Sequence, residues 1–449
     1  MKLLKIGISG VRGIVGETIT PELVLNFACA FGTYLGEGPV LVGRDTRPSG
    51  PMLHEAAISA LVSTGCDVLD LAVCPTPVLQ FMVKRLGARG AISISAGHNG
   101  KDWNALTFIN SEGTYLNTFQ GDEVLDLYHL GQFAKVAVDG LGHARALDRS
   151  FSSYLDALCA FVDTDAISRA GLRAVIDCCN GAGAGLVDEL GSRLGCEIIA
   201  VNNEPSGFFP HDPEPGIRNA QQVASIMGVL GAHAGFVTNS DVSRISLITS
   251  HKEALSEEYT FPFIAQAYLA KNPGAVVSTV MTSRMVEEVA RSRGCPLFRS
   301  GVGQSSVAET MLIEDAVIGG EGSGGVAVTA FQPAFDGFLS IAMVLEAMAL
   351  SGEPMAGLVG RLPQAYLVKD KIACPLPRAY SIVNEMPRLM PGDWRETGDG
   401  LRLDTETGWI HLRASATEPM VRIYVEDLSK ERAQEKVDTI IHLFSPMVK

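Results

Sequence analysis

Val40-Leu41-Val42-Gly43-Arg44-Asp45-Thr46-Arg47-Pro48 decides the architecture. The apolar triplet, valine at both ends, reads as a short buried strand, and the Gly-Arg-Asp-Thr-Arg-Pro run behind it cannot continue that strand and forms a polar turn. A helix follows to about residue 63, then a strand over Val68–Val73, and then Ala91-Ile92-Ser93-Ile94 runs as a strand into another Gly-rich loop. Upstream, Thr20, Pro21 and Glu22 carry the signals of a helix start: an N-cap hydroxyl, a proline in the first turn and an acid behind it. Leu23, Phe27, Phe31 and Leu35 then line one face. Apolar strands alternating with helices predict a mixed or parallel sheet covered on both faces.

The same theme returns twice. Leu172–Ile176 ends in Asp177 and turns through Asn180-Gly181-Ala182-Gly183 towards a helix, and Gly235–Thr238 feeds Asn239-Ser240-Asp241. Further on, Ala275–Val280 is a strand, Ser283–Arg291 a helix, and Gly319–Gly325 a loop with six glycines or serines around Glu321. From about residue 367 the pattern changes. A helix over Ala379–Leu389, short strands near Leu401 and Trp409, a strand over Val421–Val425 and a last helix from Lys430 describe a small α+β unit. The expected class is therefore α/β, with three related α/β domains of mixed sheet and a C-terminal α+β domain. The expected spans are 1–145, 146–252, 253–366 and 367–449.

At 449 residues the chain is too long for one hydrophobic core. No apolar run reaches the ~18 residues a membrane helix needs, and Met1–Lys5 has no signal-peptide pattern, so the expected location is cytoplasmic. A formal charge of −14 without a Lys/Arg run argues against nucleic acid as a partner. Nine cysteines, none in a CxxC pair, fit free thiols better than disulfides or zinc.

The loops that follow strand ends carry more. Gly7-Ile8-Ser9-Gly10-Val11-Arg12-Gly13, the Gly43–Arg47 turn, Pro75-Thr76-Pro77, Gly319–Gly324, Arg413-Ala414-Ser415-Ala416-Thr417-Glu418-Pro419 and the turn Phe208–Pro215 occur in one order over more than 400 residues. In that order they resemble the alpha-D-phosphohexomutases. The resemblance implies four domains around a central cleft, a hexose phosphate as ligand, and a phosphoserine mutase reaction with magnesium. It assigns a phosphate-binding role to Arg413, Ser415, Thr417 and Arg422, sugar binding to Glu321 and Ser323, and a place in the cleft to Arg12.

Besides Ala416, where the family usually has Gly or Asn, and Gly325, where it has a histidine, three segments depart from that pattern. The serine loop reads Ser95-Ala96-Gly97-His98-Asn99-Gly100, which puts Gly97 at the nucleophile position, and Thr107 stands where the resemblance implies a lysine acid/base. The metal loop reads Asn239-Ser240-Asp241-Val242-Ser243-Arg244, so Asn239, Asp241 and Ser243 supply one carboxylate where the family has three. A hard dication prefers anionic oxygen. From these departures the expectation is a phosphosugar-binding homologue without phosphoserine mutase chemistry, needing no cofactor and binding magnesium weakly at most. It would act as a regulatory or partner-binding protein, as a homodimer or paired with an active enzyme. Two enzymatic alternatives stand beside it: different chemistry on a phosphorylated sugar-like metabolite, recruiting His98, Asp241 or Arg244, and an active mutase whose nucleophile is displaced to Ser95. In either, Lys101 is a solvated loop lysine before it is a substitute acid/base.

Overall fold

The computed structural model describes residues 4–147, 151–250, 253–398, 400–415 and 419–448. The opening stretch folds as read: Pro39–Arg44 is a strand and Gly50–Ser63 a helix. That strand lies inside a seven-stranded sheet, parallel to Asp67–Val73 on one side and to Gly90–Ile94 on the other. Trp103–Asn110 returns antiparallel to Gly90–Ile94 and carries the hairpin Leu4–Gly7/Gly10–Ile14 at the sheet edge. The amino-terminal arginine loop is thus a hairpin and not a free loop. Gly10 must be glycine there, because its φ is +154° and a Cβ would stand 2.0 Å from the Leu106 carbonyl oxygen.

Two four-stranded sheets repeat the plan. In the second, Arg173–Asp177 pairs in parallel with Glu197–Val201 and Ala234–Thr238, and Ile245–Thr249 returns antiparallel. In the third, Val276–Thr279 pairs in parallel with Leu297–Ser300 and Ile318–Glu321, and Gly325–Val328 returns antiparallel. The fourth sheet is antiparallel throughout, five strands between Tyr366 and Asp427, packed with the helices Leu376–Leu389 and Lys430–Phe444. The class read from the sequence, α/β with a C-terminal α+β unit, is the one observed.

One apolar core runs from Leu41 to Leu362 and joins elements of the first three sheets, whereas the last sheet has its own core around Ile382, Leu412, Ile423 and Phe444. This arrangement matters for function. In each of the first three sheets a segment of interest links an antiparallel pair at one end: residues 95–102, 239–244 and 322–324. The described cysteines are all free, and most are buried.

Candidate active site

Between the first three sheets lies a cavity of about 610 Å³. Its wall includes Arg12, Ser95, Gly97, His98, Thr107, Asn239, Asp241, Ser243 and Arg244. Seven of these were singled out in the sequence as site positions, Ser95 as a displaced nucleophile and Thr107 as the residue at the implied lysine position, so the chain brings the two altered loops face to face. Glu321, Ser323, Arg413, Ser415 and Arg422 are not in that wall. Glu321 still touches it, because Arg244 Nη2 lies 2.6 Å from Glu321 Oε1. Ser323 Oγ donates to the same carboxylate. Arg413 and Arg422 are cross-strand partners beside the connection 415–419, where Ser415 is buried. Thr417 lies outside the described residues. Lys101 is exposed and away from the cavity wall.

Gly97 has φ +54°, and a Cβ built on it would meet Asn239 Nδ2 and Asp241 Oδ2 at 3.6 Å. Those are ordinary contacts, so there is room for a side chain but not for a relaxed backbone. The loop is held from behind by Arg47, whose side chain is fully buried. Its guanidinium donates to the carbonyls of Gly97 (2.9 Å), Asn99 (2.6 Å), Gly100 (2.6 Å) and Trp103 (3.2 Å), and its Nε to Asp45 Oδ2 (2.9 Å). Arg12 Nη1 adds a bond to Asn99 Oδ1 at 2.9 Å.

Ser95, the displaced nucleophile of the active-mutase alternative, has a carboxylate beside it. Ser95 Oγ donates to Asp45 Oδ2 at 2.7 Å and accepts from Gly97 N at 3.0 Å. Sequence reasoning had Asp45 only as part of a turn. A residue 50 positions away gives no local pattern to read.

Across the cavity Arg244 Nη1 stands 3.2 Å from His98 Nδ1. A guanidinium only donates, so Nδ1 accepts and the ring proton sits on Nε2. Burial, followed by Arg244, Arg12, Arg47 and Lys5, pushes the His98 pKa well below its ordinary value. The imidazole is therefore neutral. Burial and Arg244 also lower the Arg12 pKa, a sign of crowded positive charge. Arg12, Arg244 and Lys5 stand against Asp241 in the wall and Glu321 behind Arg244, and the remaining positive charge suits an anionic group.

The metal loop fits magnesium poorly. Asp241 Oδ1 accepts from Ser243 N (3.1 Å) and Ser243 Oγ (2.7 Å), and Oδ2 from Thr76 Oγ1 (3.3 Å). Asn239 Oδ1 accepts from Arg244 N (3.1 Å), and its amide donates to Ser243 Oγ (3.0 Å). The oxygens a hard cation would need are already engaged by protons. Among the described residues no group of three or more His, Cys, Asp or Glu could hold a metal ion. The Pro75-Thr76-Pro77 signal also gains a purpose, since Thr76 N donates to the Asp241 carbonyl at 3.0 Å.

Fold and cavity together define a multi-sheet α/β protein whose cationic cleft opens between sheets. Four consecutive segments match the phosphoglucomutase/phosphomannomutase family: alpha/beta/alpha domain I over residues 3–135, domain II over 152–252, domain III over 257–366 and the C-terminal domain over 372–443. The chain belongs to that family. It is 35% identical to the phosphoglucomutase/phosphomannomutase of Thermococcus kodakarensis, over 99% of both chains. The crystal structure of a family protein from Burkholderia thailandensis superposes with a TM-score of 0.84 at 25% identity, covering 98% of this chain and 97% of that one. The N-acetylphosphoglucosamine mutase of Aspergillus fumigatus, in complex with GlcNAc-6P and magnesium, shares the fold at 15% identity and a TM-score of 0.54, over 90% of this chain and 82% of that one.

These relatives correct the functional expectation. A regulatory or partner-binding homologue without mutase chemistry is not what they point to, because full-length relatives are named as mutases. The expectation that no cofactor is needed has no support in these relatives. Among the described residues no helix is long and apolar enough to cross a membrane.

Proposed function

We propose that this chain is a hexose phosphate mutase that takes the phosphoryl group on Ser95 instead of at position 97. The observation that carries the reading is the 2.7 Å hydrogen bond from Ser95 Oγ to Asp45 Oδ2 at the cavity wall. A serine hydroxyl needs a base beside it to become a nucleophile. Asp45 is that base, kept in place by Arg47 and by Ser240 Oγ at 2.9 Å.

In the charging step a hexose bisphosphate is the donor. The Ser95 Oγ–P bond forms and one sugar O–P bond breaks. The serine proton passes to Asp45 and ends on the released sugar oxygen. In the second step the other hydroxyl of a hexose monophosphate attacks the phosphoserine. A sugar O–P bond forms, the Oγ–P bond breaks, and the sugar proton returns to Ser95 through Asp45. Arg12 and Arg244 offset the charge on the phosphoryl oxygens, and His98 donates to them through Nε2–H. The far phosphate belongs to Arg413, Ser415, Thr417 and Arg422, and the sugar hydroxyls to Glu321 and Ser323, as expected from the sequence. Magnesium would bind weakly at Asp241, and no step is assigned to it. A homodimer and a cytoplasmic setting, the latter in keeping with free thiols, belong to the same proposal.

The test is phosphosite mapping after incubation with a hexose 1,6-bisphosphate. Phosphate on Ser95, absent from Ser95→Ala together with turnover, is the expected result. A charged protein carrying its phosphate elsewhere, or turnover surviving in Ser95→Ala, would overturn the assignment.

A further inference from the structure

The turn Phe208–Pro215, singled out in the sequence, lines no part of the cavity, yet it reaches the residues that hold the cavity wall. Arg47 Cζ lies over the Phe209 ring, 5.0 Å from its centroid. Gly207, at φ +70°, packs so closely on the same strand-end turn that a Cβ would stand 1.9 Å from the Thr46 carbonyl oxygen. Thr46 Oγ1 in turn donates to the Asn180 carbonyl at 2.8 Å. We propose that this turn positions the candidate active site from outside: Phe209 seats Arg47, and an ion pair between His211 and Asp177 holds Phe209 in place. The role rests on the cavity being the reacting site, because Arg47 acts through Asp45 and through the loop that carries His98.

His211 meets acceptors at both ring nitrogens. Nδ1 lies 2.8 Å from the Asp212 carbonyl oxygen and Nε2 3.2 Å from Asp177 Oδ2. A carbonyl cannot donate, and Asp177 already accepts at Oδ1 from Cys179 N (2.8 Å) and at Oδ2 from Asn202 Nδ2 (2.9 Å). Both ring nitrogens therefore carry protons, and the ring is an imidazolium. Burial opposes that charge, but Asp177, Cys179 and the Asp212 carbonyl outweigh it and raise the pKa to about 10. Asp177 is itself fully buried, so loss of the cation would leave a carboxylate without its counter-charge.

The backbone behind Asp177 is shaped for the same purpose. Cys179 and Asn180 have φ +52° and +49°, which side chains rarely adopt. That bend aims Asn180 at the turn, where Nδ2 donates to the Phe208 carbonyl (2.8 Å) and Oδ1 accepts from Glu204 N (3.1 Å). Phe209 thus arrives over Arg47 from a pinned segment. Arg47 is bonded to Asp45 and to the carbonyls of Gly97, Asn99, Gly100 and Trp103, and it is fully shielded from water. With the ring withdrawn, water would compete for those donors and the loop would loosen.

Phe209→Leu keeps an apolar filler but loses the ring face, Phe209→Tyr keeps the ring, and His211→Gln removes the charge. Phe208→Ala, at a residue 77% exposed, is the control. The experiment is amide hydrogen exchange of the full chain over residues 96–104, with kcat and KM for a hexose 1-phosphate measured beside it. Exchange there should be at least ~10-fold faster in Phe209→Leu and His211→Gln and unchanged in Phe209→Tyr and Phe208→Ala, with the third sheet as protected as in wild type. Turnover should fall at least ~10-fold in the same two variants with KM within about twofold of wild type, because the reacting loop moves while the sugar and phosphate loops do not. Unchanged exchange over 96–104 in both variants, or exchange raised equally across the third sheet, would overturn the proposal, as would undiminished turnover in a variant whose loop has loosened. If wild type itself turns over no hexose phosphate, the Ser95 reading fails, and the exchange result still decides the role of Phe209 and His211.

Discussion

Asp45 Oδ2 accepts from Arg47 Nε, Ser95 Oγ and Ser240 Oγ, all within 2.9 Å. Such a carboxylate is fixed in direction and cannot turn away from Ser95. Ser95→Ala should lower turnover by at least ~10³-fold while sugar phosphate binding, read by a thermal shift, survives. Gly97→Ser tests the same point from the other side. The space exists, but the left-handed backbone would cost about 1–2 kcal/mol. That variant should fold with a lower melting temperature and keep its phosphate on Ser95; migration of phosphate to position 97 would contradict the assignment. At this scale the arginine, serine and metal loops singled out in the sequence converge, while the sugar and phosphate loops stay outside the cavity wall. Arg12, His98, Asp241, Ser243 and Arg244 all reach one cavity. Asp45 escaped as a partner because only folding brings it to Ser95, and Glu321 stands behind Arg244 instead of in the wall.

Among the elements, the connections between antiparallel strands carry many of the candidate residues, and two of them depend on identifiable backbone chemistry. Arg47 holds the loop 97–103 by four backbone carbonyls, a geometry that a single ammonium cannot copy. Arg47→Lys should therefore destabilise the protein by about 3–5 kcal/mol. Chemical denaturation measures that loss, and a change below ~1 kcal/mol would mean the fork is dispensable. Gly324 is at φ +89°, and a Cβ there would lie 2.1 Å from the Ile245 carbonyl oxygen. Gly324→Ala should cost about 2–4 kcal/mol and displace Glu321, which the same denaturation curve and a weaker sugar phosphate response would show. Strand and helix alternation was legible from apolar runs and caps. The return strands were less so: Trp103–Asn110 contains two asparagines and a threonine, and Gly325–Val328 hides at the end of a glycine loop. Their pairing is a tertiary outcome that local composition does not announce.

On the scale of the whole molecule, the first three sheets share a core, while the C-terminal unit has its own and meets the rest through polar contacts. Lys369 Nζ lies 2.8 Å from Glu257 and 3.2 Å from Glu258, and Arg284 N meets Glu426. Domain number followed from length and the change of pattern near residue 367, but contacts between the units could not be read from either. The C-terminal unit also carries a pH signature. Burial, with Arg402 and Arg413 nearby, lowers the His411 pKa to about 4. The unfolded chain binds a proton near the ordinary histidine value and the folded chain does not. The stability this histidine contributes is thus complete above ~6.5 and is lost as pH falls through about 4. Wild type should lose stability relative to His411→Asn over that window, and parallel melting curves at every pH would contradict it. The most direct test of the mutase reading is phosphorus NMR of the purified chain with hexose 1-phosphate, magnesium and a trace of 1,6-bisphosphate, run beside Ser95→Ala. Conversion to the 6-phosphate by wild type and none by the variant is the predicted result. No conversion by wild type, or equal conversion by both, would contradict a mutase that works through Ser95.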